Sequence, residues 1–142
     1  MLTVAQTVCA MIENGWSLTS PAKASVYFAS ARPETVDYLQ LNVPIVVNCY
    51  SPMGDAVVAE VLTKEFWKLV ESVVVDIVVK CTGNMAVDMV TRETIRNEVY
   101  RIIHLGDPYF WVDREMFKVE SPEIVRVAIL VKFLSFTLKG AS

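Results

Sequence analysis

Alternation of apolar and polar positions, together with one stretch rich in small, β-branched and aromatic residues, predicts five β-strands in this chain. The clearest lies at residues 73–81, where β-branched side chains dominate and every second position is apolar. The other strands are predicted at residues 24–30, 43–49, 109–119 and 124–138. The last of these carries apolar side chains on both of its faces, so we expect both faces to be covered.

Helical spacing of apolar residues predicts a first helix at residues 3–14. Thr3 and Gln6 have the spacing of a capping box, and the Asn14-Gly15 pair provides a C-terminal stop. A single helical turn is expected within residues 34–40.

A second helix is predicted from about residue 88 to residue 104, where it is stopped by Gly106 and Pro108. Residues 56–72 fit both the helical and the strand period. For them we favour an irregular or helical insertion that ends near Val70.

This order of elements predicts an α+β fold. We expect a mostly antiparallel sheet, with both helices packed on one of its faces. The strands at residues 109–119 and 124–138 are joined by Ser121-Pro122, which predicts a long C-terminal β-hairpin. At 142 residues the chain has the size of a single domain, 1–142.

Composition adds an excess of apolar surface to this picture. Hydrophobic residues make up 54% of the chain, and the mean hydropathy is +0.41. A membrane span is excluded, because charges such as Asp76 and Arg126 interrupt the most apolar stretches. Residues 1–13 lack the basic start and apolar run of a secretory signal. We therefore expect the excess apolar surface to be buried in a subunit interface.

The length of the last strand points to assembly as well. Fifteen residues at roughly 3.3 Å each give about 50 Å, more than the width of a domain of this size. Part of this strand is therefore expected to contact another subunit.

Charge and cysteine content exclude several function classes. A net charge of −3 and a pI near 5.1 give no basic field for nucleic acid or anionic lipid. Cys9, Cys49 and Cys81 are odd in number and form no CxxC pattern, so we expect neither disulfides nor a zinc site. They are interpreted as buried thiols in a reducing cytoplasm.

Candidate chemistry is sparse. His104 is the single histidine and is placed at the end of a helix, where a cation is favoured. Asp76 and Asp88 could in principle hold a divalent ion together with Asp107 or Asp113, but no motif spacing supports this. Asp76 is expected on the solvent-facing side of its strand, and Asp88 is expected to cap the second helix. We therefore predict no enzyme, no cofactor and no metal.

Aromatic and arginine side chains supply candidate interface residues. The two aromatic clusters, at residues 66–67 and 109–111, fit interface hot spots and core packing equally well. The arginines of the second helix could reach a neighbouring subunit or simply solvate that helix. The candidates for a subunit or partner interface are Phe66, Trp67, Arg92, Arg96, Trp111, Leu130, Leu134 and Phe136.

The order of the elements and their hydrophobic pattern resemble a known family. The central unit is the strand VVVDIVVK at residues 73–80, followed by a helix that ends in IRNEVYRIIH at residues 95–104. Ahead of it are a short helix and a strand opened by VPIVV at residues 43–47, and behind it is the hairpin that closes on residues 125–138. This pattern resembles the tail terminator proteins of long-tailed bacterial and archaeal viruses. It covers most of the chain and departs from the family at residues 51–72.

The resemblance implies an α/β sandwich that forms a hexameric ring on the last ring of the tail tube. Such a ring stops tube polymerisation and offers a surface to the head connector. The implied partners are further copies of the chain, the tail tube protein and the head connector or completion protein, while DNA only passes through the lumen. The implied location is the tail or neck of the virion, after assembly in the host cytoplasm.

Other hypotheses remain open at this point. One is a ligand-binding or regulatory α/β sandwich, dimeric through its long strands. Another is a different head–tail completion protein. A third is a small enzyme that uses His104 together with an aspartate.

Overall fold

The computed structural model of the protein describes residues 3–52, 57–61 and 66–138. Of these, residues 57–61, 66–68 and 136–138 are described by their backbone alone. Short 3₁₀ turns occur at Lys23–Ser25 and Pro33–Thr35, the second overlapping the start of residues 34–40, where a single turn is expected from the sequence. The longer elements are α1 (Val4–Gly15), β1 (Val26–Ala29), β2 (Ile45–Tyr50), β3 (Val57–Val61), β4 (Phe66–Lys80), α2 (Met85–Leu105), β5 (Phe110–Glu120) and β6 (Ile124–Leu138).

The predicted capping box starts α1. The Gln6 backbone N–H donates to Thr3 Oγ1 at 3.1 Å, and the Thr3 N–H donates to Gln6 Oε1 at 2.9 Å. Two otherwise unpaired main-chain donors are thereby satisfied. The predicted capping box is confirmed.

The start of α2 differs from its prediction. Asn84 caps the helix by accepting from the Val87 N–H, so the expectation that Asp88 caps it is wrong. Asp88 lies one turn further in, is buried, and accepts from both the N–H and the hydroxyl of Thr82 at 2.9 Å. Before the cap, Gly83 has φ +101°, a conformation that favours glycine.

The sheet is mostly antiparallel, as predicted. Its strand order is β1-β2-β4-β6-β5, with β3 added to β4; β1 and β2 are parallel, and the other pairs are antiparallel. Fifteen consecutive residue pairs join β4 to β6, from Phe66 and Leu138 to Lys80 and Ile124. The C-terminal hairpin of β5 and β6 is confirmed.

The insertion predicted at residues 56–72 is wrong for the described part of that range, and residues 56 and 62–65 lie outside the described residues. Residues 57–61 form β3, and β4 begins at Phe66. Apolar residues in this stretch satisfy both periods, so periodicity cannot decide between them. Residues 66–72 form a strand because they pair with residues 132–138 of β6.

Both helices pack on one face of the sheet, as predicted. A layer of apolar strand residues packs against both helices, against Val8 and Ile12 of α1 and against Ile95 and Val99 of α2. Burying each such side chain stabilises the fold by about 1.5–3 kcal/mol before entropy is counted. The strand residues of this layer are Ile45, Val47, Cys49, Val73, Val75, Ile77, Val79, Val125, Val127, Ile129 and Val131.

The opposite face of the sheet is covered by the connection between β1 and β2, residues 30–44. Tyr38 packs there on Val46 and Val78. A second small cluster on the same sheet contains Val74, Ala128 and Leu130. One face of the sheet is thus covered by helices and part of the other by a connecting segment.

The sheet continues beyond this core. The fully buried residues stop at Val73 in β4 and at Val131 in β6, and the described side chains that follow are half-buried. Strand β2 ends its pairing at Val74, whereas β4 and β6 stay paired for eight further residues each. We call β3 together with residues 66–72 and 132–138 the arm. At roughly 3.3 Å per residue, it extends the sheet by about 23 Å.

Candidate functional site

The two lateral edges of the arm carry unpaired backbone. On one edge, β3 pairs with β4 alone among the described strands. On the other edge, β5 reaches only as far as Phe133 of β6, and one more hydrogen bond follows, from the Leu134 N–H to the Tyr109 carbonyl at 2.9 Å. Unpaired edges of this kind are templates for strand pairing with another chain.

The outer edge of β5 has a different character. Two register shifts interrupt its pairing with β6, between Val112 and Arg114 and between Glu115 and Phe117. Exposed charged side chains, among them Arg114 and Lys118, follow this edge. Bulges and charges are the means by which proteins discourage edge-to-edge association, so this edge is protected.

A buried polar cluster lies on the face of the sheet opposite the helices. Arg126 Nε donates to Asp76 Oδ1 at 2.8 Å, and Arg126 Nη2 donates to Oδ2 at 2.5 Å. The Tyr38 hydroxyl donates to Asp76 Oδ2 at 3.0 Å. Asn48 Nδ2 donates to that hydroxyl at 3.3 Å, and the same side chain exchanges two bonds with the backbone of Ala31. The cluster therefore ties residues 30–44 to the centre of the sheet.

Aromatic rings complete this cluster. The guanidinium of Arg126 lies 5.2 Å from the Tyr38 ring centroid and 5.1 Å from that of Phe117. Burial, followed by the charge of Asp76, raises the pKa of Tyr38 to about 12, against an opposing hydrogen bond from Asn48. The phenol is therefore a fixed donor at neutral pH.

Asp76 is fully buried, so its expected solvent-facing position is wrong. It does lie on the face away from the helices, but the 30–44 segment covers that face. Both of its carboxylate oxygens accept hydrogen bonds within the chain. The described part of the chain contains no group of three metal-ligating side chains, with Asp76 or without it.

Ion pairs join α2 to β5. Arg92 is 2% exposed and donates to Glu120 at 3.1 Å and to Glu93 at 3.2 Å. Arg96 donates to Glu115 at 2.6 Å. These two arginines, predicted to face a neighbouring subunit or solvent, thus bind carboxylates of their own chain.

A second charged group fixes the loop after α1. Glu98 accepts two bonds from Ser17, at 2.6 and 2.9 Å, and lies 2.7 Å from Arg101 Nε. The Arg101 hydrogen bonds, together with those from Ser17, lower the pKa of Glu98 to about 2. Glu98 is therefore ionised throughout the neutral range and holds α1 against α2.

The other predicted interface residues fall into two groups. Leu130 is 6% exposed, packed with Val74 and Ala128 of the same chain, and Trp111 is half-buried. Phe66, Trp67, Leu134 and Phe136 all lie on the arm. Leu134 is half-buried, while the side chains of the other three lie outside the described part of the structure. The backbone edges of the arm were missed, because strand pairing cannot be inferred from one strand alone.

The remaining candidate groups are His104 and the three cysteines. His104 is exposed in the last turn of α2, as predicted, with its ring centroid 6.2 Å from that of Tyr100. All three cysteines are free; Cys49 is buried as expected, whereas Cys9 and Cys81 are half-buried.

A groove of about 400 Å³ lies where the ends of α1 and α2 meet. Its floor is apolar, with Met11, Ile102, Leu105 and Phe110 among its lining residues. Arg101 lies at the groove but is bonded to Glu98 and to the Gly15 carbonyl. The apolar lining residues suit an apolar ligand.

Neither described helix could serve as a membrane span. Comparison with known proteins adds no assignment: no family model matches the chain, and no curated protein matches it either.

Proposed function

We propose that this chain is a structural virion protein, a tail terminator that forms a homo-oligomeric ring, hexameric as in the family that it resembles. The observation that carries the proposal is the arm, in which β4 and β6 continue for seven residue pairs beyond the buried core. A sheet that extends past its own core presents main-chain groups and half-buried apolar residues to another chain.

In this role the ring binds the last ring of the tail tube protein on one side. It binds the head connector or completion protein on the other side, within the tail of a virion assembled in the host cytoplasm. Polymerisation stops because the surface away from the tube does not match a further tube ring. The role needs shape and strand complementarity, with no chemical step and no cofactor.

The charge distribution is consistent with a ring through which DNA passes. The chain has a net charge of −3, and Arg92 and Arg96 are bound to carboxylates of the same chain. Arginines held in this way are not available to neutralise phosphate, so DNA would not be retained by them.

The mass of the purified protein in solution tests the ring. Light scattering after size exclusion, with negative-stain electron microscopy, is expected to give a closed particle of about six protomers. A strict monomer at micromolar concentration, seen by both methods, would contradict the ring.

Tube capping needs a separate assay. The protein is added to polymerising tail tube protein of the same virus, and tube lengths are measured by microscopy. A terminator shortens the tubes and narrows their length distribution. Another head–tail completion protein would leave that distribution unchanged.

The groove between α1 and α2 favours a second candidate, the dimeric ligand-binding or regulatory domain. This candidate predicts a stable dimer and a rise in melting temperature when a small apolar ligand is added. A ring whose melting temperature is insensitive to such ligands would reject it.

A further inference from the structure

From the edges of the arm we infer how neighbouring copies join: β3 of one copy adds as a strand to residues 135–138 of β6 in the next. This inference rests on the proposed ring and specifies its contact. The partner is therefore a second copy of this chain, and the binding mode is β-strand addition.

The receiving edge is defined by the end of β5. The last residue pair between β5 and β6 joins Phe110 to Phe133, and the Leu134 N–H still reaches the Tyr109 carbonyl. Main-chain N–H groups along a strand point alternately to its two sides. The Phe136 N–H therefore points to the same side as that of Leu134, where no described strand pairs with it.

The donating edge is β3. One side of this strand pairs with β4 from Val57 to Val61, with one register shift between Val58 and Glu60, and its other side has no partner among the described strands. Strand β3 has five residues, enough to cover the open stretch 135–138. The two edges lie on opposite sides of the arm, because β3 pairs with β4 whereas the open stretch belongs to β6.

The other sheet edges are less suited to this contact. The β5 edge is interrupted by two register shifts and carries exposed charges. Strand β1 has only four residues. Protected or short edges resist strand addition. The open stretch of β6 pairs with β4 without a register shift and carries no charged residue, so the added strand is directed to the arm.

The geometry also determines the kind of assembly. Strand β3 and the open stretch of β6 are different surfaces, so their contact is head-to-tail and leaves one of each free in any open chain of copies. Such a heterologous contact closes into a ring when the rotation per copy divides a full turn. A two-fold dimer would instead pair the same edge with itself.

Two substitutions at one position test the contact. Phe136→Pro removes the outward N–H, and proline is tolerated on an edge strand where that N–H is not needed by the protomer. Phe136→Val removes the aromatic ring and keeps the N–H. We expect Phe136→Pro to weaken association ~10-fold or more and to shift the ring toward the protomer mass. Phe136→Val is expected to retain the ring.

Circular dichroism and melting temperature show whether both variants fold. If Phe136→Pro is misfolded, cross-linking decides. Ala59→Cys combined with Phe136→Cys should give a ladder of disulfide-linked oligomers under oxidation, and Ala59→Cys combined with Val119→Cys, on the protected edge, should not.

The possible results separate this inference from the proposed function. A ring that persists in a folded Phe136→Pro variant, or a cross-linking pattern equal in both cysteine pairs, overturns the strand addition and leaves the ring in place. A ring lost equally in Phe136→Val also overturns it, because the contact would then depend on the aromatic side chain. A wild-type chain that forms no ring overturns both.

Discussion

Arg126→Met should strongly destabilise the protein, because it leaves the Asp76 carboxylate buried without its cation. Asp76 is 0% exposed, and the side chain of Arg126 is 21% exposed. Removing one partner of a buried pair costs about 3–5 kcal/mol. Since Arg126 is partly solvated, we expect the lower end, about 3 kcal/mol in the free energy of unfolding.

Urea unfolding at pH 7, followed by circular dichroism at one protomer concentration, measures this loss. Arg114→Met is the matched control: that side chain is 64% exposed and bonded to Asp113 at 3.1 Å, so its loss should cost less than about 0.5 kcal/mol. Protease cleavage within residues 30–44 should be faster in Arg126→Met and unchanged in Arg114→Met. Arg126 binds Asp76, which accepts the Tyr38 hydrogen bond that helps to hold this segment.

A double substitution separates the ion pair from simple packing. Asp76→Val combined with Arg126→Met leaves no buried charge, so it should recover at least half of the stability lost in Arg126→Met. The reasoning fails if Arg126→Met unfolds within about 0.5 kcal/mol of the wild type, a loss no larger than that of an exposed pair.

Three further predictions concern the helices. Glu98→Gln should cost about 2 kcal/mol at pH 7: a pKa lowered from 4.5 to about 2 corresponds to roughly 3 kcal/mol, reduced because Arg101 is 41% exposed. The pKa of Glu98 is lower in the folded than in the unfolded state, so this stabilisation is present above pH 4.5 and is lost as the pH falls towards 2. The free energies of unfolding of wild type and variant, measured in urea, should therefore converge over that interval. Gly15→Ala should lower the melting temperature, because its added Cβ would lie 2.9 Å from Ile102 Cγ2. In a protein that already carries Ile102→Ala, the same Gly15→Ala change should not lower the melting temperature further. Thr3→Ala should cost about 1 kcal/mol by thermal unfolding, through loss of the capping box, and an equal loss in Gln6→Ala would show that both halves of the box contribute.

The elements predicted well from the sequence are those whose signals are local. Thr3 and Gln6 determine the start of α1 through hydrogen bonds three residues apart. Uninterrupted alternation gives β6 its observed bounds, Ile124–Leu138. Caps and alternation depend on neighbouring residues alone, so one sequence suffices for them.

The predictions that were wrong concern positions whose structure depends on residues far away in the sequence. Residues 66–72 become a strand because they pair with residues 132–138, 60 to 72 residues further along the chain, and residues 57–61 pair in turn with β4. Asp76 is buried because residues 30–44 fold over it, and no pattern around Asp76 indicates this cover. The arm shows both cases: its apolar residues Leu134 and Phe136 were candidates from the sequence, whereas its open edges exist only once the strand order is known.

The continuity of β4 and β6 has a mechanical consequence. The same two strands run from the tip of the arm to the centre of the sheet and share fifteen residue pairs. Pulling β4 against β6 along their length loads many inter-strand hydrogen bonds in shear, so they must break together, whereas a sideways pull separates them one at a time. The molecule is therefore stiff along its strands and compliant across them, and tension applied at the tip reaches the middle of the sheet with little deformation.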